Sequence, residues 1–226
     1  MEQASTIIVA GGAGRRMGAA LPKQFMPLGG KPLLAWPLEV FHQFAPAMQL
    51  IVVLPGDWTE EWRRLCTVHG IGVPHTVVPG GAERFHSVRE GLQAVGHDGL
   101  VAVHDGVRPL ATAPLVERCF AAAEKHGAAI PVLPVSSSVR QLREGRSMPV
   151  DRSTLRLVQT PQCFSAPLLR KAFNLPYDPA FTDEATLVER VGAQVHLVEG
   201  EERNIKVTTP WDLRVAEMLL AENWPG

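Results

Sequence analysis

Three short apolar runs, Thr6–Ala10, Leu50–Leu54 and Leu100–His104, stand far apart in the chain with helical patterns between them. Glycine or proline bounds each run, and each is too short for a buried helix, so all three read as strands covered on both faces. Ala129–Val135 and Gln194–Val198 read the same way. Between the runs, Glu83–Val95 places Val88, Leu92 and Val95 on one helical face, with Gly96 as its stop. Pro114–Lys125 pairs Leu115 with Cys119 and Val116 with Phe120 at helical spacing. Thr182 is expected to cap a helix that opens at Asp183-Glu184 and stops at Gly192. Thr209-Pro210-Trp211-Asp212 combines an N-cap, a proline at the first helical position and an acid three residues after the cap. Strands alternating with helices predict an α/β fold with a largely parallel sheet. With 226 residues, 46% of them hydrophobic, the chain suits one domain over residues 1–226.

Charge and cysteine content narrow the function classes. The formal net charge is -1, which argues against nucleic acid or an acidic membrane as partner and makes any anion site local. Cys66, Cys119 and Cys163 form no CxxC pair, so neither a disulfide framework nor a zinc cluster is expected. The apolar segment after Met1-Glu2-Gln3-Ala4-Ser5 is too short for a secretory leader, and no run approaches a membrane span. A reducing, cytoplasmic setting is the expectation.

The strongest chemical signal follows the first strand: Ala10-Gly11-Gly12-Ala13-Gly14-Arg15-Arg16-Met17-Gly18, then Pro22-Lys23-Gln24-Phe25. Glycines let backbone N–H groups cradle phosphate, and the carboxyl end of a parallel strand is where such folds bind ligands. The loop lacks the Gly-Lys-Ser/Thr of a P-loop. It also has Met17 where a dinucleotide fingerprint needs its third glycine, with no acid between Glu2 and Glu39, so a dehydrogenase is disfavoured. Gly80-Gly81-Ala82-Glu83-Arg84 precedes a helix carrying Ser87, and His104-Asp105-Gly106-Val107-Arg108-Pro109 follows a strand. Asp105 is placed to hold a metal on phosphates, although taken alone it reads first as a turn or capping residue. His104 reads as a structural neighbour, because no second His or Cys stands at metal spacing. The polar stretch from Ser136 to Thr154, with Arg140, Arg143, Arg146 and Arg152, breaks the α/β rhythm and reads either as a functional projection or as a solvated surface loop.

These segments, AGGAGRRM, PKQF, GGAERFHSV, VHDGVRP, VDRSTLRLVQTPQ, FTDEATLVE and NIKVTTPWDL, cover nearly the whole chain. Together they resemble the 2-C-methyl-D-erythritol 4-phosphate cytidylyltransferase family. The resemblance implies a Rossmann-like sheet with helices on both faces and a dimerisation arm over about 136–154. It implies cytidylyl transfer from CTP to a polyol phosphate with Mg2+, in a homodimer that exchanges its arms. Carried over by position, Ala10, Gly11, Gly12, Ala13 and Gly14 would hold the triphosphate, and Arg16 and Lys23 would stabilise the attacked α-phosphate. Gly81, Ala82, Ser87 and Gly106 would bind the nucleoside, and Asp105 the metal or substrate. Arg108, Thr182 and Lys206 would hold the alcohol phosphate, with Ser138, Arg152 and Thr160 contributed by the arm and its return. Where the family has an Asp-Thr pair followed by Lys, this arm has Ser137-Ser138-Val139-Arg140, keeping a hydroxyl but not the carboxylate. Ribitol 5-phosphate cytidylyltransferase, another sugar-phosphate nucleotidyltransferase, and a non-catalytic nucleotide-binding regulator are the competing readings.

Overall fold

The computed structural model describes residues 3–11 and 21–222. Its strands are β1 (Ala4–Val9), β2 (Pro27–Leu28), β3 (Lys31–Pro32), β4 (Gln49–Leu54), β5 (Thr76–Pro79), β6 (Leu100–Asp105), β7 (Ala128–Pro134), β8 (Val139–Arg143), β9 (Arg146–Val150), β10 (Arg156–Val158), β11 (Gln162–Ser165) and β12 (His196–Glu199). The helices are α1 (Ala35–Phe44), α2 (Thr59–Val68), α3 (Arg84–Gln93), α4 (Ala113–His126), α5 (Ala166–Phe173), α6 (Glu184–Arg190) and α7 (Pro210–Ala221).

The main sheet runs β5-β4-β1-β6-β11-β7-β10, with β12 also paired to β7. Neighbours from β5 to β6 are parallel, as are β12 and β7, whereas β11 and β10 run antiparallel to their partners. Side-chain alternation on the central strands divides the core into two layers. Ile8, Val52 and Ala102 face α1, α2 and α4, where Phe41, Trp62 and Phe120 are buried. Ile7, Val53 and Val103 face α3, α5 and α6, where Val88, Leu169 and Val188 are buried. All six residues of β1 are buried, as expected of a parallel strand covered on both faces. A smaller cluster of Leu28, Leu33, Leu110, Val207 and Ala216 seats α7.

Several expected boundaries move. The cap of α6 is Asp183, not Thr182: its side chain accepts from the Thr186 N–H at 2.9 Å, and a carboxylate at that position also suits the helix dipole. Helix α3 ends at Gln93 with Ala94 as its cap, short of Gly96. The capping box of α7 forms as read, Thr209 accepting from the Asp212 N–H and Asp212 from the Thr209 N–H. The polar stretch is a two-stranded hairpin, β8 with β9, turning at Glu144-Gly145, where both residues have positive φ (51° and 75°).

Candidate active site

Two cavities open at the carboxyl ends of β1 and β6. The first, of about 260 Å³, is lined by Ala10, Gly11, Lys23, Gly81, Ala82 and Ser87 and closed at one side by Arg84, Asp105 and Lys206. The second, of about 250 Å³, shares those three closing residues and adds Arg108, Thr160, Gln162, Thr182 and Asp183. Charged side chains thus form a common wall between two compartments.

Local structure explains the first compartment. The Ala10 N–H continues the ladder to the Val53 carbonyl (2.9 Å), so Gly11 follows directly on the sheet. Lys23 starts a short 3-10 turn in which both following side chains are anchored. Gln24 donates from Nε2 to the Ala10 carbonyl at 2.7 Å, and Phe25 stacks on Trp62 at 6.0 Å. The Gln24 Oε1 atom is buried in the cavity wall with no hydrogen-bond partner among the described residues. Ser87 donates to the carbonyls of Glu83 (3.1 Å) and Gly81 (3.4 Å), which fixes the turn before α3. At Gly81 a Cβ would lie 2.4 Å from His86 Cβ, so only glycine fits. Gly12, Ala13, Gly14 and Arg16 lie outside the described residues.

Asp105 ends β6 at the shared wall. Its carboxylate meets Lys206 Nζ at 2.9 Å and Arg108 Nε at 3.3 Å, with Arg84 Nη2 at 3.6 Å. Burial pushes its acidity down, but Arg84, Lys206 and Arg108 together outweigh burial and hold the carboxyl well below the usual range. Arg108 is itself held below its ordinary value by burial, which Asp105 partly opposes. Gly106 does not line either cavity. It donates to the Val9 carbonyl at 2.9 Å, and a Cβ there would meet Leu34 at 2.9 Å, so its absent side chain lets the wall pack on β1.

Behind the wall, a hydrogen-bond chain sets the second compartment. The Asp105 N–H donates to Thr160 Oγ1 (3.1 Å), which pairs with His104 Nδ1 (3.1 Å). His104 Nε2 pairs with the Arg108 carbonyl (3.2 Å); because a carbonyl only accepts, Nε2 carries the proton and Nδ1 accepts from Thr160. Burial drives the His104 pKa down to about 4, so the ring is neutral and structural, as expected. Arg108 Nη1 donates to the Asn204 carbonyl (2.8 Å), and Asn204 Nδ2 to the Thr160 carbonyl (2.8 Å). Gln162 donates to Asp183 (2.9 Å) and accepts from the Ala185 N–H (3.0 Å). The TPQ, TDEA and NIK segments are therefore one network, although Gln162 and Asn204 carry no site role in the sequence reading.

The arm behaves differently. Ser138 and Arg152 are exposed and line neither cavity of their own chain. Arg152 instead donates to the Ser136 carbonyl at the base of the hairpin.

For a metal, the donor set is sparse. Among the described residues no three His, Cys, Asp or Glu side chains converge, and Asp105 already faces three cations. An all-protein cage is excluded for these residues, but a hard dication held by one carboxylate and the oxygens of a bound polyphosphate fits.

Gly11 at the end of β1 lines one compartment with Lys23, and a second polar compartment lies behind an Asp–Arg–Lys wall, an arrangement that suits a nucleotidyltransferase. Comparison with known proteins narrows the class. The family profile described as 2-C-methyl-D-erythritol 4-phosphate cytidylyltransferase (IspD) matches residues 4–222, and the chain belongs to that family. A protein of that name from Bacteroides fragilis is 50% identical over 216 residues, covering 96% of this chain and 99% of the relative. The crystal structure of the Thermus thermophilus protein of that name superposes with a TM-score of 0.78 at 36% identity, covering 98% of this chain and 100% of that one. The 4-diphosphocytidyl-2C-methyl-D-erythritol synthase of Anaerococcus prevotii gives 0.83 at 27% identity, covering 97% and 96%.

Proposed function

We propose that the chain transfers the cytidylyl group of CTP to 2-C-methyl-D-erythritol 4-phosphate, releasing pyrophosphate and forming 4-diphosphocytidyl-2-C-methyl-D-erythritol for non-mevalonate isoprenoid synthesis. The observation that carries this reading is the pair of adjoining cavities with one shared charged wall, in a chain of this family. CTP occupies the compartment of Gly11, Gly81, Ala82 and Ser87, and the alcohol phosphate the compartment of Arg108, Thr160 and Thr182. The attacking phosphate oxygen is already anionic, so no strong general base is required. The barrier lies in bringing two polyanions together and in the charge that develops on the α-phosphate. Lys23 and Arg16 meet that charge, while Lys206 and Arg108 orient the incoming phosphate. Asp105 keeps Lys206 and Arg108 fixed before substrate arrives. Mg2+, held by Asp105 and the triphosphate, would neutralise phosphate charge.

The active form is proposed to be a homodimer in which each arm delivers Ser138 and Arg152 to its neighbour. An isolated two-stranded hairpin is marginal in water, and this one exposes Leu142 at 78% and Met148 at 41%, so a second copy is its natural cover. No helix among the described residues is long and apolar enough to cross a membrane, and a cytoplasmic site is proposed. The deciding experiment crosses CTP, UTP, ATP and GTP with methylerythritol phosphate and ribitol 5-phosphate and measures pyrophosphate release. Turnover is expected for CTP with methylerythritol phosphate. Equal turnover with ribitol 5-phosphate, or preference for a purine nucleotide, would refute the assignment.

A further inference from the structure

Arg84 and Glu184 belong to the GGAERFHSV and FTDEATLVE segments, yet the reaction as described gives neither of them a task. Glu184 opens α6 and is only 2% exposed. Its carboxylate receives a two-point fork from Arg84, the first residue of α3, at 2.5 Å from Nη1 and 2.9 Å from Nη2. A buried carboxylate is costly unless paired in this way, and the fork geometry is available to Arg and not to Lys. The Nη2 that bonds Glu184 also stands 3.6 Å from Asp105 Oδ1, beyond hydrogen-bond reach, while Asp105 is bonded by Lys206 at 2.9 Å.

The position of the pair matters as much as its geometry. Gly81 and Ala82 of the nucleotide compartment lie just before Arg84 in the chain, and Thr182 and Asp183 of the second compartment lie just before Glu184. The fork therefore ties one half-site to the other, and its guanidinium lies in the wall that both compartments share. Holding α3 against this segment does not depend on the ion pair. Phe85 already packs on Phe173 (4.9 Å), Tyr177 (5.6 Å) and Phe181 (6.2 Å).

We propose that Glu184 is a positioning residue for the transfer reaction: it holds Arg84 in a two-point fork that keeps the guanidinium off Asp105, so Asp105 stays paired with Lys206 and both cations keep fixed places at the junction of the two substrates. Without the Glu184 charge, the carboxylate left within ion-pair distance of Arg84 among the described residues is Asp105, since Asp183 is engaged by Gln162 and Thr186, and closing that 3.6 Å gap sets Arg84 in competition with Lys206. The cation that orients the alcohol phosphate is then displaced. This inference rests on the cytidylyl-transfer reading.

The test uses the full-length chain and pyrophosphate release with CTP and methylerythritol phosphate, in wild type, Glu184→Gln, Arg84→Gln, the double variant and Arg84→Lys. Small displacements of orienting groups cost on the order of 10²-fold. Glu184→Gln is therefore expected to lower kcat by ~10–100-fold and to raise KM for the alcohol phosphate more than KM for CTP. The double variant should be no slower than Arg84→Gln, because Glu184 acts only through Arg84. Arg84→Lys keeps the charge, loses the fork and should also lose at least ~10-fold in kcat. If Glu184→Gln does not fold, Arg84→Lys carries the same test. A purely structural pair would lower the thermal midpoint and leave both KM values of the folded enzyme at wild type. That pattern, or single losses that multiply in the double variant, overturns the proposal. An inactive wild type with this substrate pair overturns the functional reading, and the positioning role with it.

Discussion

At the residue scale, the site is an arrangement of charges whose roles differ by what surrounds them. Lys23 is followed by two anchored neighbours, Gln24 on the Ala10 carbonyl and Phe25 on Trp62, as suits a cation proposed to be in place before the transition state forms. Losing one preorganised donor of this kind typically costs ~10²–10³ in kcat, so Lys23→Ala should reduce kcat far more than it raises KM for CTP. A normal kcat with a raised KM would make Lys23 a ground-state triphosphate ligand. Asp105 has two tasks to separate. Asp105→Asn should raise the magnesium concentration that gives half-maximal rate, because a hard dication favours a full carboxylate oxygen. A magnesium titration that does not move, with a raised KM for the alcohol phosphate, would leave Asp105 as the anchor of Lys206 alone.

At the element scale, the hairpin β8–β9 is a two-stranded sheet of its own, apart from the main sheet. Its residues are largely exposed, and Arg152 at its base reaches neither cavity of its own chain. In the proposed arm exchange each active site would be composite, with Lys23 from one chain and Arg152 from the other, and this would permit complementation. Lys23→Ala and Arg152→Ala homodimers should each be nearly inactive. A mixed dimer has one site with both lesions and one with neither. Random reassortment makes about half the dimers mixed, so activity should return to about a quarter of wild type after co-expression or joint refolding. Verified mixed dimers without activity, from variants that fold, would place Arg152 in its own chain's chemistry or remove the arm from the site. Elements with local signals were legible: the capping box of α7 and the buried runs of β1, β4 and β6 appear with boundaries shifted by a residue or two. Helix α1 was not legible, since Leu34 at its start provides no side-chain cap. Nor was β11, whose place between β6 and β7, antiparallel to both, is chosen by pairing with strands remote in the chain.

At the scale of the whole molecule, the buried polar network ties stability to acidity. His104 has a pKa of about 4 in the folded protein against ~6.5 for an unperturbed imidazole. Between those values the unfolded chain binds a proton that the folded chain excludes. The stabilising contribution is therefore complete above about pH 6.5 and is lost as pH falls towards 4, to an extent of up to about 3 kcal/mol. Asp105, held low by its three cations, adds its own loss at lower pH, beginning as pH falls through the ordinary carboxylate range and continuing below it. The thermal midpoint should thus fall between pH 7 and pH 5 in wild type, and fall less in His104→Gln. Equal falls in both proteins would show that His104 does not govern this window.

Much of this molecule is set by neighbours within a turn or a strand. Apolar runs bounded by Gly and Pro determine the parallel core strands, and the ordered set of segments determines the family. The chemistry of individual charges is set otherwise. Arg84, Asp105, Arg108, Glu184 and Lys206 are ordinary surface residue types in the sequence, and their local context does not distinguish a solvated charge from a buried pair. Only the packing of α3, α6, the end of β6 and the segment between β12 and α7 brings them into ion pairs of 2.5–3.6 Å. A charge's energy depends on its burial and on its nearest opposite charge, and both are properties of contacts between distant segments, which exist only once the tertiary structure has formed.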